Sequence, residues 1–412
     1  MLIKGVSLLR SGKLIRDQDI LIEGNRISKI SSGLRDEDVL DCSGMLAIPG
    51  LINSHTHLAM TLFRGFADDM ALMPWLTEKI WPMEARLTKD DIHWGVKLGC
   101  LEQIRFGITC YNDMYYFTDE TARTTKEMGL RAFLSGVLFD ARPEFMKEAE
   151  RFVRDWKDDE LIHPVVGPHA IYTCSDETLL FSKDLAERYD VMLHTHVSET
   201  RGEVEDSMKR HGKSPVEYLD SLGLLSSRLI AAHCVWLSDK DISLMADRKV
   251  NVAHCPVSNL KLAAGIAPVA RLMEAGVNVC LGADGASSNN NLSLFEEMKT
   301  TAITQKQLCA RPEIMKAEEV WRMATDNAFS AFKLDMGLRE GALADLSLID
   351  LRKPWFTPQT NALSHLIYSN PGTVDTTIVN GRVLMNRGVI PGEMEILEKA
   401  QERFERLASS LL

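Results

Sequence analysis

Short runs in which apolar and polar residues alternate open the chain, and runs of the same kind return near its end. Asp19-Ile20-Leu21-Ile22-Glu23 and Arg26-Ile27-Ser28-Lys29-Ile30 flank Gly24-Asn25, a pair suited to a tight β-hairpin turn. Residues 344–350 alternate in the same way, and 376–385 carry a second turn pair, Asn380-Gly381. Two strand-rich segments at opposite ends of a chain are useful if they pack on each other. The pattern therefore predicts a small β-sandwich domain made from residues 1–48 and 341–392.

Between the two ends, apolar runs alternate with helix-like stretches, the βαβα rhythm of a parallel sheet. Strands are predicted at 46–53, 107–113, 131–137, 163–168, 191–197, 229–235, 251–255 and 277–282. Eight such strands make an α/β fold, a closed (β/α)8 TIM barrel over residues 49–340, whose chemistry sits at the C-terminal strand ends. An open doubly wound sheet would carry a glycine-rich phosphate loop after its first strand, and Pro49-Gly50-Leu51 offers none. The long connection 58–88, with Trp75, Trp81 and Pro82, predicts a cover over the barrel mouth. Residues 393–412 are charged with a helical apolar stripe and predict a terminal surface helix.

The predicted strand ends are where polar residues collect. His55-Thr56-His57 follows an apolar run, and residues at i and i+2 of a strand share a face, so one metal ion can bridge both imidazoles. His194-Thr195-His196 ends another strand, Glu199 follows it, and the run 277–282 leads to Asp284. Three imidazoles, a carboxylate and a nearby acid suit metal-assisted hydrolysis.

Composition narrows the function classes. The 412 residues carry a formal net charge of −11, which disfavours general affinity for nucleic acid, anionic membrane or heavily phosphorylated substrates. Lys4, Arg10 and Lys13 interrupt any signal-like apolar core at the start, and no apolar run reaches the length of a membrane span. A cytoplasmic location is expected. The eight cysteines include no Cys-x-x-Cys pair, so buried reduced thiols are expected. His211-Gly212-Lys213-Ser214 has Ser207 where a phosphate loop needs glycine, and reads as a loop between helices.

Pro49 to His57, His194 to Glu199, Ala232-His233-Cys234, His254 to Asn259 and Gly282-Ala283-Asp284-Gly285 together resemble the amidohydrolase superfamily over nearly the whole chain. Within it they are similar to the deaminases of S-adenosylhomocysteine, 5′-methylthioadenosine and 5′-deoxyadenosine. The resemblance implies one divalent metal, zinc or else iron, held by His55, His57, His196 and Asp284. Such a donor set leaves the cation a net positive charge and lowers the pKa of bound water. Binuclear relatives use a lysine on the fourth strand, but His163 to His169 contains none, so one metal is expected.

Deamination at adenine C6 needs a nucleophile, a proton at N1 and a proton for departing ammonia. The resemblance implies Glu199 as donor at N1, Asp284 as acceptor of the water proton, and His233 as the group orienting the nucleophile. It also implies Glu84 on the ribose hydroxyls and His169 on the sugar or its 5′ side. His254 and Asn259 are candidate pocket residues, and Trp75 and Trp81 candidate covers.

A carboxylate-bearing 5′ tail calls for arginine, and Arg142 alone is available in the loop after the third strand. The apolar Val137-Leu138-Phe139 favours 5′-deoxyadenosine, with 5′-methylthioadenosine, S-adenosylhomocysteine and adenosine also accepted. The alternatives are the same metal chemistry on guanine, cytosine or a chlorotriazine, or a barrel kept as a non-catalytic scaffold. The expected partner is a small nucleoside, with no nucleic acid and no membrane. A homo-oligomer, for instance a tetramer, is expected from the resemblance.

Overall fold

The computed structural model describes residues 1–10 and 13–409. Its first five strands are β1 (Leu2–Arg10), β2 (Lys13–Glu23), β3 (Arg26–Ser31), β4 (Val39–Asp41) and β5 (Met45–Pro49). Eight more follow: β6 (Leu51–Thr56), β7 (Ile108–Tyr115), β8 (Arg131–Leu138), β9 (Ile162–Pro168), β10 (Met192–Val197), β11 (Leu229–His233), β12 (Asn251–His254) and β13 (Asn278–Leu281). The last three are β14 (Leu346–Asp350), β15 (Thr376–Val379) and β16 (Arg382–Met385).

Strands β6 to β13 lie side by side in chain order, and each ladder between neighbours is parallel. The circle is completed between β13 and β6 by single hydrogen bonds. The Asp284 amide donates to the His55 carbonyl at 2.9 Å, and the Ala283 amide donates to Asn53 Oδ1 at 2.9 Å. The seam is tight: a Cβ on Gly282 would meet the His55 backbone nitrogen at 2.9 Å. Closure itself therefore sets Asp284 beside His55.

The terminal strands form one continuous mixed sheet in the order β16-β15-β14-β5-β1-β2-β3, with β4 beside β1. It encloses its own apolar cluster, which includes Ile3, Ile20, Ile27, Leu346 and Ile378. Both predicted hairpin turns are present, pairing Glu23 with Arg26 and Val379 with Arg382. Asn380 and Gly381 both take positive φ, 51° and 75°, as a two-residue type I′ turn requires.

One expected strand is two. The run predicted as a single barrel strand, 46–53, breaks at Gly50 into β5 of the terminal sheet and β6 of the barrel. The Gly50 amide donates to the Asp345 carbonyl, and a Cβ there would lie 2.1 Å from Thr109 Oγ1. Only glycine lets the chain change sheets at that approach. Both halves are almost wholly buried, so the apolar pattern continues through the break.

The long connection after β6 forms a 3-10 helix, Leu58–Phe63, and later two consecutive helical stretches, Trp75–Ile80 and Trp81–Glu84. Trp75, Trp81 and Glu84 line the cavity above the barrel mouth. His211 ends one helix, and Ser214 caps the next with a capping box to Glu217. The terminal helix, Glu393–Ala408, is held to helix Lys89–Arg105 by ion pairs Arg105–Glu393 and Arg406–Asp91. Residues 410–412 of the predicted helix lie outside the described residues. All eight cysteines are free thiols and seven are buried. No helix among the described residues is long and apolar enough to cross a membrane.

A buried ion pair ties the two sheets together. Arg131 on β8 donates from Nε to Asp345 Oδ2 at 3.1 Å and from Nη1 to the Glu160 carbonyl, while Asp345 Oδ1 accepts from the Asn380 amide. Truncating the guanidinium would leave a buried carboxylate without its counter-charge. Arg131→Ala is expected to lower stability by about 3–5 kcal/mol in denaturant unfolding, and a loss under about 1 kcal/mol would contradict this role.

Candidate active site

Three strand ends and one closing turn converge on a single point. His55 is fully buried on β6, and His57 stands one residue beyond that strand with its ring partly open to the cavity. His55 Nε2 and His57 Nε2 lie 3.3 and 3.5 Å from Asp284 Oδ1. His196, on β10, brings its Nε2 to 3.3 Å from His57 Nε2. Candidate ligand atoms of His55, His57 and Asp284 all lie within 4.8 Å of one another, as do those of His55, His196 and His233.

Hydrogen bonds behind these rings decide what faces the centre. His57 Nδ1–H donates to the Met114 carbonyl at 2.6 Å, and His196 Nδ1–H donates to the His169 carbonyl at 2.8 Å. Their Nε2 atoms therefore present lone pairs to each other at 3.3 Å, a repulsive contact with no proton to bridge it. His55 Nδ1 meets His194 Nε2 at 2.8 Å, while His55 Nε2 is buried with no hydrogen-bond partner. Asp284 Oδ2 accepts from Ser258 Oγ at 2.6 Å and Ser288 Oγ at 3.1 Å. Converging lone pairs, one buried carboxylate and oriented second partners are what a tetrahedral-type divalent cation site requires.

The electrostatics agree with that use. Burial pushes His55 down to about 4 and lowers His57 and His196 as well, so all three are neutral donors at pH 7.

Glu199 and His233 stand beside this centre. His233 Nε2 is 3.9 Å from Glu199 Oε2, and its Nδ1–H donates to Asn259 Oδ1 at 2.9 Å. Burial raises the Glu199 carboxyl, favouring its protonated, proton-donating form. Both open into a cavity of about 970 Å³ that His57, His169, His196 and Asp284 also line. Glu84 faces the same space, accepting from Tyr116 Oη at 3.4 Å, and burial pushes it up to about 7.

Of the residues singled out from the sequence, His57, Trp75, Trp81, Glu84, Val137, Phe139, Arg142, His169, His196, Glu199, His233 and Asp284 line one cavity, and His55 is buried beside Asp284. Asn259 sits behind His233, and His254 is buried away from the cavity lining with neither ring nitrogen partnered. Sequence reasoning missed His194 as the partner of His55, the two serines on Asp284, and Tyr115 and Tyr116 in the cavity wall. Ser258 lies inside the motif His254 to Asn259; Ser288 has no such signal.

Residues 46–384 match the model of the amidohydrolase family. The 5′-deoxyadenosine deaminase of Methanothrix thermoacetophila is 64% identical over 411 residues, covering 99% of this chain and 100% of the relative. The 5-methylthioadenosine/S-adenosylhomocysteine deaminase 1 of Archaeoglobus fulgidus is 43% identical, with both chains covered in full. Among solved structures, a zinc-bound adenosine deaminase from Xanthomonas campestris superposes with a TM-score of 0.95 at 32% identity, covering 99% of this chain and 98% of that one.

A cation that binds the folded centre stabilises it by mass action. Zinc at about 1,000 times its Kd is expected to add about 4 kcal/mol over chelator-treated protein, read as a rise in Tm by calorimetry. Asp284→Asn should remove most of that increment; an unchanged increment would mean zinc binds elsewhere.

Proposed function

The chain belongs to the amidohydrolase family, and on that premise we propose that it is a zinc-dependent deaminase converting 5′-deoxyadenosine to its inosine analogue and ammonia. 5′-Methylthioadenosine, S-adenosylhomocysteine and adenosine are further substrates. The observation that carries the reading is the facing of unprotonated nitrogens His57 Nε2 and His196 Nε2 against buried Asp284, with Glu199 and His233 opening on the same cavity. The names of relatives at 64% and 43% identity support the choice of substrate class.

The residues would divide the work as follows. His55, His57, His196 and Asp284 hold one zinc, which supplies electrophilic activation of water at neutral pH. Asp284 takes the first proton as water adds to C6, with His233 Nε2 orienting the attack. Glu199 gives its proton to N1, so the ring accumulates no negative charge. Asp284 then passes its proton to the amine, the C6–N bond breaks, and ammonia leaves. The remaining hydroxyl proton returns to Glu199, leaving N1–H and C6=O in the product and the enzyme in its starting state.

Glu84 receives the ribose hydroxyls, and His169 contacts the sugar or its 5′ side. In the cavity wall, Tyr116, Phe139 and Phe145 pack edge to face with ring centroids 5.8–6.4 Å apart. Arg142, the candidate partner for a tail carboxylate, has Glu144 at 3.6 Å. An apolar 5′ group against the aromatic wall favours 5′-deoxy over homocysteine-bearing substrates. The reading carries with it a cytoplasmic homo-oligomer.

Following loss of the adenine chromophore, kcat/KM is expected to be highest for 5′-deoxyadenosine. Faster release of ammonia from guanine or cytosine would overturn the reading. Glu199→Gln should lower kcat by about 10²–10⁴-fold with zinc retained.

The profile of kcat/KM should fall as pH drops through about 7, where Glu84 gains a proton and loses acceptors for the ribose. Glu84→Gln should raise KM and flatten that limb. An unchanged limb would remove Glu84 from the binding site.

A further inference from the structure

Glu199 reaches the cavity through an unusual piece of backbone. Strand β10 ends at Val197, and Ser198 takes a left-handed conformation with φ of 52° before the chain enters helix Arg201–His211. A non-glycine residue there is held against its own preference by surrounding structure. Thr200 caps the helix, its side chain accepting from the Glu203 amide at 3.2 Å. In a capping box the residue at Glu203's position would reach back to the cap residue's own N–H. Here the Glu203 carboxylate reaches further. Oε1 accepts from the Ser198 amide at 2.9 Å, and Oε2 accepts from the Glu199 amide at 2.7 Å.

Both oxygens of one carboxylate thus grip the two peptide units that aim Glu199. Glu203 is itself buried and does not line the cavity, so it has no access to substrate. On the other side of the kink, the Ser198 carbonyl accepts from the amides of Val235 and Trp236, just past His233. The kink is therefore held between the carboxylate of Glu203 and the strand end that carries His233.

We infer that Glu203 is a positioning residue, fixing the Ser198–Glu199 kink so that the Glu199 carboxyl stands at the reacting end of the cavity. The inference rests on the proposed role of Glu199 as the proton donor. A misplacement of about 1 Å at a catalytic group can cost about 10²-fold in rate. Replacing one Glu203 oxygen by an amide nitrogen sets donor against donor and releases one of the two peptide units.

The test is a double-mutant cycle on zinc-loaded enzyme, with zinc content measured alongside. Glu203→Gln is expected to lower kcat by about 10–100-fold, to change KM by less than about threefold, and to keep one zinc per chain. In a Glu199→Gln background the same change should cost less than about threefold, because both act through one carboxyl. Ser214→Ala, which removes the cap of the following helix, Pro215–Ser221, and has no bond to Glu203 or to the kink, should lower Tm and leave kcat unchanged. If Glu203→Gln does not fold, Glu203→Asp keeps both acceptors on a shorter arm and should show the same fall in kcat and the same dependence on Glu199.

Full activity in Glu203→Gln, or an equal loss with and without Glu199, would overturn the positioning role while leaving the deaminase reading intact. Full activity in Glu199→Gln would instead remove the proton donor itself, and both proposals with it.

Discussion

Closing the barrel forces electron-rich groups together, and that constraint governs the rest of the structure. Strand β13 reaches β6 through the Asp284 amide and the His55 carbonyl, so the last strand cannot close on the first without delivering a carboxylate to the imidazoles. His57 and His196 are locked by carbonyls behind them into tautomers that point lone pairs at each other. In a buried space this arrangement is unfavourable until a positive charge enters it. Affinity for a cation is in that sense stored in the fold, as unpaired donors that closure has already brought into position.

Strain gathers at the same place. Ser198, His233 and Asp284 all hold positive φ, and each lies at or just past the end of a barrel strand. Such conformations cost about 1–3 kcal/mol each for residues other than glycine. They turn the chain sharply enough to aim Glu199, His233 and Asp284 inward where a regular strand would carry them past the centre. Rigid parallel strands below and hydrogen bonds such as those of Glu203 and Asn259 hold the aim.

Much of this was legible in the residues. The eight apolar runs and their helical spacers gave the barrel its strand order, and Gly24-Asn25 and Asn380-Gly381 marked both hairpins of the terminal sheet. His55, His57, His196 and Asp284 stood out because paired histidines after apolar runs are sparse; in the structure His55 and His57 stand against Asp284, and His196 stands beside His57. The change of sheet at Gly50 was hidden, since burial on every side leaves the apolar run unbroken across it. His194 was hidden differently: a His-x-His pattern is the same whether a ring holds a metal or holds another ring. Glu203 reads from sequence as an ordinary first-turn glutamate, and only the left-handed turn at Ser198 gives its carboxylate a different task.

The claim that a cation completes the closing seam is tested most directly by X-ray absorption at the zinc edge of the loaded protein. The account predicts nitrogen and oxygen neighbours at about 2.0–2.2 Å, with the imidazole scattering pattern of three histidines, and a loss of that pattern in His196→Ala. Sulfur neighbours at about 2.3 Å, pointing to cysteine ligation away from this centre, or a shell of water oxygens without imidazole, would contradict it.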